Sequence, residues 1–138
     1  MSKYLLDTNI CIHFIKGEYD LKSKIQQVGF QSCYISEITI AELLYGVEKS
    51  TPERKDTNLK RVQELRAAFS EQTVSIQDCL EEYARQKALL IKIGRRVEDL
   101  GIVIGASSIV KRMVLVTRNT KDFIHMDGIK LENWIVPA

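Results

Sequence analysis

Short apolar segments alternate with longer segments of helical periodicity along this chain. The short segments contain mainly β-branched, aromatic and other apolar residues, which favours buried strands. They lie at residues 4–6, 32–35, 74–76, 114–117 and 129–135. Polar or glycine-containing turns separate them from the helical segments, so we expect each strand to end sharply.

Between these segments, apolar residues recur three or four positions apart, which predicts helices. The predicted helices lie at residues 10–15, 19–28, 36–47, 52–69, 78–93 and 100–110. Ser36 and Asp78 are suited to cap two of them. The alternation predicts a three-layer α/β/α sandwich around a mainly parallel sheet. The chain has 138 residues and is 45% hydrophobic, which is enough for one globular domain over residues 1–138.

Acidic and amide side chains follow two of the predicted strands. Asp7 directly follows the first strand, and Asn119 and Asp122 follow the fourth. Glu42 lies about two turns into the helix after the second strand. Because the carboxyl ends of parallel strands meet at one edge, we expect these groups to converge on one cleft. Taken singly, Asp7 is better explained as a cap of the next helix, and Glu42 as an ordinary exposed glutamate at the edge of the buried face.

Composition narrows the chemistry. The histidines His13 and His125 are isolated, and the cysteines Cys11, Cys33 and Cys79 lack metal-binding spacing. Any metal site would therefore use oxygen ligands, which favours Mg²⁺ or Mn²⁺ over zinc. A net charge of +2 permits an anionic partner without requiring one. Free thiols, the lack of a signal segment and the lack of a long apolar run lead us to expect a cytoplasmic protein without membrane contact.

Clustered carboxylates are stable as anions mainly with a cation between them. A magnesium ion held this way activates water and stabilises charge on a phosphate. The chain has no Gly-x-x-x-x-Gly-Lys, Gly-x-Gly-x-x-Gly or Gly-x-Ser-x-Gly sequence that would indicate a different mechanism. Metal-dependent phosphodiester hydrolysis is therefore the reaction class that best suits these residues.

The polar segments also carry a family resemblance. They are Leu5-Leu-Asp-Thr-Asn-Ile10, Ile38-Thr-Ile-Ala-Glu-Leu-Leu-Tyr-Gly46, Val116-Thr-Arg-Asn-Thr-Lys-Asp-Phe123 and Gly128-Ile-Lys-Leu-Glu-Asn-Trp134. In this order and spacing they resemble PIN-domain ribonucleases, and most closely the VapC toxins of type II toxin–antitoxin systems. The resemblance implies a Mg²⁺- or Mn²⁺-dependent endoribonuclease that cleaves RNA, with transfer RNA as a family-level expectation. It also implies a homodimer and a neutralising VapB-like antitoxin.

The resemblance assigns roles residue by residue. Asp7 matches the first metal-binding aspartate and Glu42 the acidic residue on the helix, which would orient or activate water. Asn119 matches the Asp/Asn position after the fourth strand. Asp122 matches the acid that supports the site. We therefore expect Asp7, Glu42, Asn119 and Asp122 to form the catalytic group.

One position departs from the family pattern. The family has an aspartate three residues before its Ile-Ala-Ala or Ile-Gly-Ala segment, and this chain has Gly101 there. Asp99 lies two residues earlier, about 200° away around a helix, and reaches a metal only if it lies in the preceding loop. Without the carboxylate at position 101, we expect weakened metal binding and reduced cleavage.

Basic residues flank the expected cleft and are candidate phosphate contacts. They are Arg95, Arg96, Arg118 and Lys121. Each is equally consistent with an ordinary solvated surface charge.

Two other interpretations remain open. In the first, the chain is a non-catalytic PIN-fold protein that dimerises and binds an antitoxin in a groove lined by Ile12, Phe14 and the helix at 59–69. The glycine at position 101 favours this interpretation. Alternatively, it is a receiver-type phospho-acceptor domain. That class lacks a role for Glu42, and it expects a lysine where this chain has Thr117 and Arg118.

Overall fold

The central sheet carries the strand ends that the sequence singles out. A computed structural model describes residues 1–135. The strands are β1 (Tyr4–Leu6), β2 (Cys33–Ser36), β3 (Thr73–Val74), β4 (Val114–Val116) and β5 (Leu131–Glu132). All neighbouring strands are parallel, in the order β3-β2-β1-β4-β5. β1 therefore lies at the centre, with β2 on one side and β4 on the other.

Helices cover both faces of this sheet. They are α1 (Thr8–Ile15), α2 (Leu21–Val28), α3 (Glu37–Glu48), α4 (Pro52–Ala68), α5 (Leu80–Lys92), α6 (Asp99–Val110) and α7 (Thr120–Phe123). Short 3₁₀ turns lie at 30–32, 70–72 and 77–79. The expected three-layer α/β/α sandwich with a parallel sheet is confirmed. Among residues 1–135, no helix has the length and apolar character needed to cross a bilayer.

Alternating side chains of the strands divide the core into two apolar layers. Leu6, Ile35 and Val116 pack with α1–α4 on one face. Leu5 and Leu115 pack with α5 and α6 on the other face. This division also fixes the register, since a one-residue slip would exchange the two faces.

The β1–β4 register places two polar residues side by side. Leu5 pairs with Leu115 and Leu6 with Val116. The next residues, Asp7 and Thr117, thus leave the sheet together, and Asp7 N donates to the Val116 carbonyl at 2.9 Å. The site begins where this pairing ends.

The helix that carries Glu42 has a well-defined start. Ser36 Oγ accepts a hydrogen bond from Ile38 N at 3.0 Å and is fully buried, so the predicted cap is confirmed. Thr39, Leu43 and Val47 then form the buried side of α3. Glu42 lies at the edge of this buried side, where a carboxylate reaches the cleft.

Several predicted boundaries differ from the structure. Asp78 does not cap α5, because its carboxylate is paired with Lys111 Nζ at 2.7 Å. The second helix begins at Leu21 because Tyr19 (φ 59°) and Asp20 (φ 53°) are left-handed. Backbone in that region cannot continue a right-handed helix.

The C-terminal part of the sheet also differs. The last strand covers only Leu131–Glu132 and not 129–135, and the third covers Thr73–Val74. The short helix α7 was not predicted, because four residues do not establish a helical period. It matters because it carries Asp122.

We expect Ser36→Ala to lower the free energy of unfolding by about 1 kcal/mol, since it removes a buried N-cap bond. Thr51→Ala is the matched control, because Thr51 precedes α4 without making a side-chain cap bond. Urea denaturation followed by circular dichroism measures both. Equal losses for the two variants would contradict the role of Ser36.

Candidate active site

A cleft of about 460 Å³ opens at the carboxyl edge of the sheet. It is lined by residues from the β1–α1 junction, α3, the start of α6 and α7. Its carboxylate and amide groups are Asp7, Asn9, Glu42, Glu98, Asn119 and Asp122. The structure thus brings together all four residues expected to form the catalytic group.

Asp7 is the most enclosed of these groups, with only 7% of its surface exposed. Its Oδ2 accepts from Thr117 Oγ1 at 2.7 Å and from Asn9 Nδ2 at 3.3 Å. Its Oδ1 accepts from Thr8 N at 2.8 Å, so Asp7 caps α1 as well as facing the cleft. The capping and site interpretations are therefore both true of the same side chain.

Burial raises the pKa of the Asp7 carboxyl above its ordinary value. Hydrogen bonds from Thr117, Thr8 and Asn9 oppose this rise, while the negative charge of Asp122 adds to it. A cation at the cleft would relieve both the desolvation and the repulsion.

Glu42 is oriented by Thr8, the first residue of α1. Thr8 Oγ1 donates to Glu42 Oε1 at 2.6 Å. The Thr39 hydroxyl lies 3.0 Å from Thr8 Oγ1 and must donate to it, because the Thr8 proton is already used. This relay locks the orientation of Glu42. Sequence reasoning missed it because it treated Thr8 only as one of three small polar residues that cap helices.

Thr117 organises the opposite wall, which the sequence did not indicate. Besides donating to Asp7, its hydroxyl accepts from Asn119 N at 3.1 Å. Asp122 N in turn donates to the Asn119 carbonyl at 3.0 Å, which starts α7. A threonine at a strand end is weak evidence by itself, and only the β1–β4 register reveals this role.

Position 101 lies on the cleft without a carboxylate, as expected. A Cβ built on Gly101 meets Val97 Cγ1 at 3.6 Å and Phe123 Cζ at 3.7 Å, which are ordinary contacts. The backbone there therefore has room for a Cβ, and these contacts do not require glycine.

Asp99 lies outside the cleft, so the structure does not bring it to the other acids. It is the first residue of α6, where helical geometry turns it away from the side of Gly101. Its Oδ1 accepts from Tyr83 OH at 2.9 Å and lies 2.8 Å from Lys87 Nζ. These two partners on α5 also lower the pKa of Asp99.

Glu98 is a cleft residue that sequence reasoning missed. It immediately precedes α6 and is exposed. Its backbone is extended, with ψ 144°, so helical periodicity does not place it and no pattern in the sequence identifies it as a cleft residue.

The candidate RNA-binding residues separate into two groups. Arg96 lines the cleft. Arg118 lies at its rim, where its N donates to Asn9 Oδ1 at 3.1 Å. Arg95 lines a neighbouring pocket between α5 and the start of α6, and exposed Lys121 does not line the cleft.

The donors in the cleft are suited to a hard divalent cation. They are oxygen atoms, which Mg²⁺ and Mn²⁺ prefer. Within residues 1–135, no three carboxylate, thiol or imidazole groups are gathered tightly enough to hold one ion. The arrangement fits the type of Mg²⁺ site in which one or two carboxylates bind and water completes the coordination.

Comparison with known proteins gives a consistent result. The family described as "PIN domain" matches residues 4–129. Ribonuclease VapC2 of Haemophilus influenzae is 33% identical over 141 aligned positions, covering 98% of this chain and all of the relative. The tRNA(fMet)-specific endonuclease VapC of Shigella flexneri is 34% identical, covering 97% of this chain and 99% of the relative.

Solved structures agree with the sequence relatives. The DNA-bound VapBC structure from Salmonella typhimurium includes a chain with a TM-score of 0.86 and 28% identity, covering 97% of this chain and 99% of that one. VapBC2 from Rickettsia felis, bound to a promoter DNA fragment, gives a TM-score of 0.83 and 27% identity, with 95% and 98% covered.

In buffer that contains a chelator, we expect the melting temperature of the wild type to rise relative to that of Asp7→Asn as the pH falls from neutral. The pKa of Asp7 is raised in the folded state, so folding favours its neutral form and the charged form is destabilising. The wild type therefore gains stability as the pH falls below the folded-state pKa towards the unfolded value, and asparagine, which does not titrate, cannot show this gain. Scanning calorimetry across this pH range measures it.

The control is Asp56→Asn, which removes an exposed carboxylate on α4. We expect little change in its melting temperature at any pH. If Asp7→Asn behaved like this control, the burial cost assigned to Asp7 would be wrong.

Proposed function

The chain belongs to the PIN-domain family and to its VapC group, and on that premise we propose that it is a toxin that cleaves RNA as a metal-dependent endoribonuclease. The observation that carries this proposal is the cleft where Asp7, Glu42, Asn119 and Asp122 converge. The match to the PIN-domain family gives no support to the interpretation of this chain as a receiver-type phospho-acceptor domain.

We infer that Asp7 and Asp122 hold a Mg²⁺ or Mn²⁺ ion, with Asn119 beside them. When bound, the ion would neutralise charge on the phosphate under attack. The protein's own contribution is positional: Thr117 and Thr8 hold the two oxygens of Asp7. This arrangement restricts the carboxylate to one orientation before any ligand arrives.

Glu42 is assigned to the attacking water. Its Oε1 is occupied by the Thr8 hydroxyl, which leaves Oε2 to accept a hydrogen bond from water in the cleft. A carboxylate in that position orients water and accepts its proton. Arg96, on the cleft wall, is assigned to a neighbouring phosphate of the RNA.

The substrate class is inferred from the relatives. The Shigella flexneri relative is named as specific for initiator transfer RNA, tRNA(fMet). We propose transfer RNA as the substrate of this chain too. Transfer RNA is found inside the cell, and toxin–antitoxin systems act there too. We therefore propose that this protein acts in the cytoplasm.

We further propose a VapB-like antitoxin and a homodimeric assembly. Two solved neighbours are VapBC complexes. A groove of about 310 Å³ between α1, α3 and α4 is lined by Ile12, Ile15 and Val62, among others. Phe14 lines a second pocket with Leu65 of α4. These two surfaces contain Ile12 and Phe14, from which the sequence predicts the antitoxin groove, and they support our placing the antitoxin there.

Gly101 supports a second candidate function, that of a non-catalytic chain that binds its antitoxin without cleaving RNA. The cleft retains Asp7 and Asp122 but lacks the carboxylate expected at 101, and Asp99 does not replace it. We therefore expect cleavage by this chain to be weak.

Gly101→Asp should strengthen magnesium-dependent RNA cleavage. Residues that merely support a metal ligand change metal affinity by roughly 10- to 100-fold, so a direct ligand should change it by at least tenfold. The Cβ of the new residue would meet Val97 and Phe123 only at ordinary contact distances. Cleavage of bulk transfer RNA at increasing Mg²⁺ concentration measures the effect.

Gly101→Asn is the matched control, since it adds the same bulk without the charge, and Asp7→Asn is the blank. Direct Mn²⁺ binding, measured by electron paramagnetic resonance, provides a readout that does not depend on the RNA. If neither the wild type nor Gly101→Asp binds Mn²⁺ more tightly than the blank, the metal site is wrong. If both bind metal and neither cuts, the non-catalytic function is favoured.

A further inference from the structure

An aromatic and cationic corner adjoins the rim of the cleft. It consists of Tyr19, His13, Glu18 and Arg118, which we call the Tyr19 corner. His13 Nδ1 lies 2.8 Å from Glu18 Oε1, and His13 Nε2 lies 3.2 Å from Arg118 Nη1. The Tyr19 ring meets the His13 ring edge to face, with centroids 5.0 Å apart.

The hydrogen bonds define the state of the histidine. An arginine guanidinium only donates, so His13 Nε2 must accept from Arg118. The imidazole is then neutral, and its Nδ1–H donates to Glu18. The Arg118 guanidinium is thereby held in place by a side chain that carries no competing charge.

The corner is connected directly to the cleft. Arg118 N donates to Asn9 Oδ1 at 3.1 Å, and Asn9 Nδ2 donates to Asp7 Oδ2 at 3.3 Å. The next residue, Asn119, lines the cleft. Arg118, which belongs to the Tyr19 corner, therefore lies at the rim of the cleft between Asn9 and Asn119.

Tyr19 is held in an unfavourable conformation. Its φ of 59° is left-handed, which costs a bulky residue free energy that glycine or asparagine would avoid. Nevertheless, 47% of its surface is exposed. Strain of this kind at an exposed ring, next to a site, points to function rather than to packing.

The local charges indicate which part of a nucleotide fits. Glu18 and Asp20 flank Tyr19 in the chain and repel a phosphate, whereas an uncharged base is not repelled. Exposed aromatic rings bind single-stranded bases by stacking, and arginine at the same place binds the backbone. We propose that Tyr19 is a stacking platform for an unpaired base of the RNA substrate and that Arg118 binds the adjoining phosphate.

This inference rests on the proposed ribonuclease function and adds to it a base-binding residue outside the cleft. It gives Tyr19 a binding role and His13 a positioning role that acts through Arg118. The antitoxin groove and the metal ligands are not involved.

The test measures binding of a short fluorescein-labelled single-stranded RNA by fluorescence anisotropy, in chelator so that no cleavage occurs. A set of the same RNA with one abasic nucleotide at successive positions accompanies it. We expect Tyr19→Leu to bind intact RNA about tenfold more weakly, because one stacked base is lost. Leucine keeps a Cβ at the same φ, so the backbone strain is matched. Tyr19→Phe should bind like the wild type.

A stacking role also predicts coupling between protein and RNA. Removing the base at one position of the RNA should weaken binding by the wild type about tenfold and leave binding by Tyr19→Leu unchanged. If Tyr19→Leu weakens binding of every abasic RNA equally, Tyr19 acts only through the fold and the proposal is wrong. If Tyr19→Leu binds intact RNA as the wild type does, the proposal is wrong while the ribonuclease function stands. If the wild type binds no RNA, the stacking proposal is wrong, and the magnesium-dependent cleavage assay decides the ribonuclease function separately.

Discussion

The site depends on one buried carboxylate at the end of the central strand. Asp7 is almost completely enclosed, and Thr117 from the neighbouring strand, which donates to it at 2.7 Å, offsets part of the cost of burying its charge. That bond exists only because β1 and β4 are parallel and in register. Backbone pairing, core packing and site geometry are therefore set by the same register. A slip of one residue would disrupt all three.

From Asp7 the polar contacts extend in two directions. Towards α3, Thr8 links the Asp7 junction to Glu42. Towards α7, Thr117 positions Asn119. Threonines thus act as the connecting groups, since a hydroxyl donates to one oxygen and accepts from another donor at the same time. The acidic residues provide charge, and the threonines determine where that charge lies.

The start of α6 shows how helix geometry distributes acids. Asp99 and Glu98 are adjacent in sequence, yet Asp99 pairs with Tyr83 and Lys87 on α5 while Glu98 lines the cleft. Glu98 is the extended residue before α6 and Asp99 is its first helical residue, so the two side chains leave the backbone in different directions. Gly101 faces the cleft from the same side as Glu98. The loss of one carboxylate at position 101 therefore leaves a gap that its acidic neighbour, Asp99, does not fill.

The sequence alone determined the fold class and most of the site. Strand and helix periodicity are local signals, so the sandwich, the cap at Ser36 and the placement of Asp7, Glu42, Asn119 and Asp122 at one edge were all predictable. Tertiary structure alone decided the rest. Thr117 and Thr8 gained roles through partners far along the chain, and α7 was too short to show a period. The start of α6 directs Asp99 to its partners on α5 and Glu98 to the cleft, and periodicity locates a helix start only within a few residues. The Tyr19 corner likewise depends on the contact between Arg118, which follows β4, and His13 of α1. These residues are 105 positions apart in the chain, and no local pattern encodes their contact.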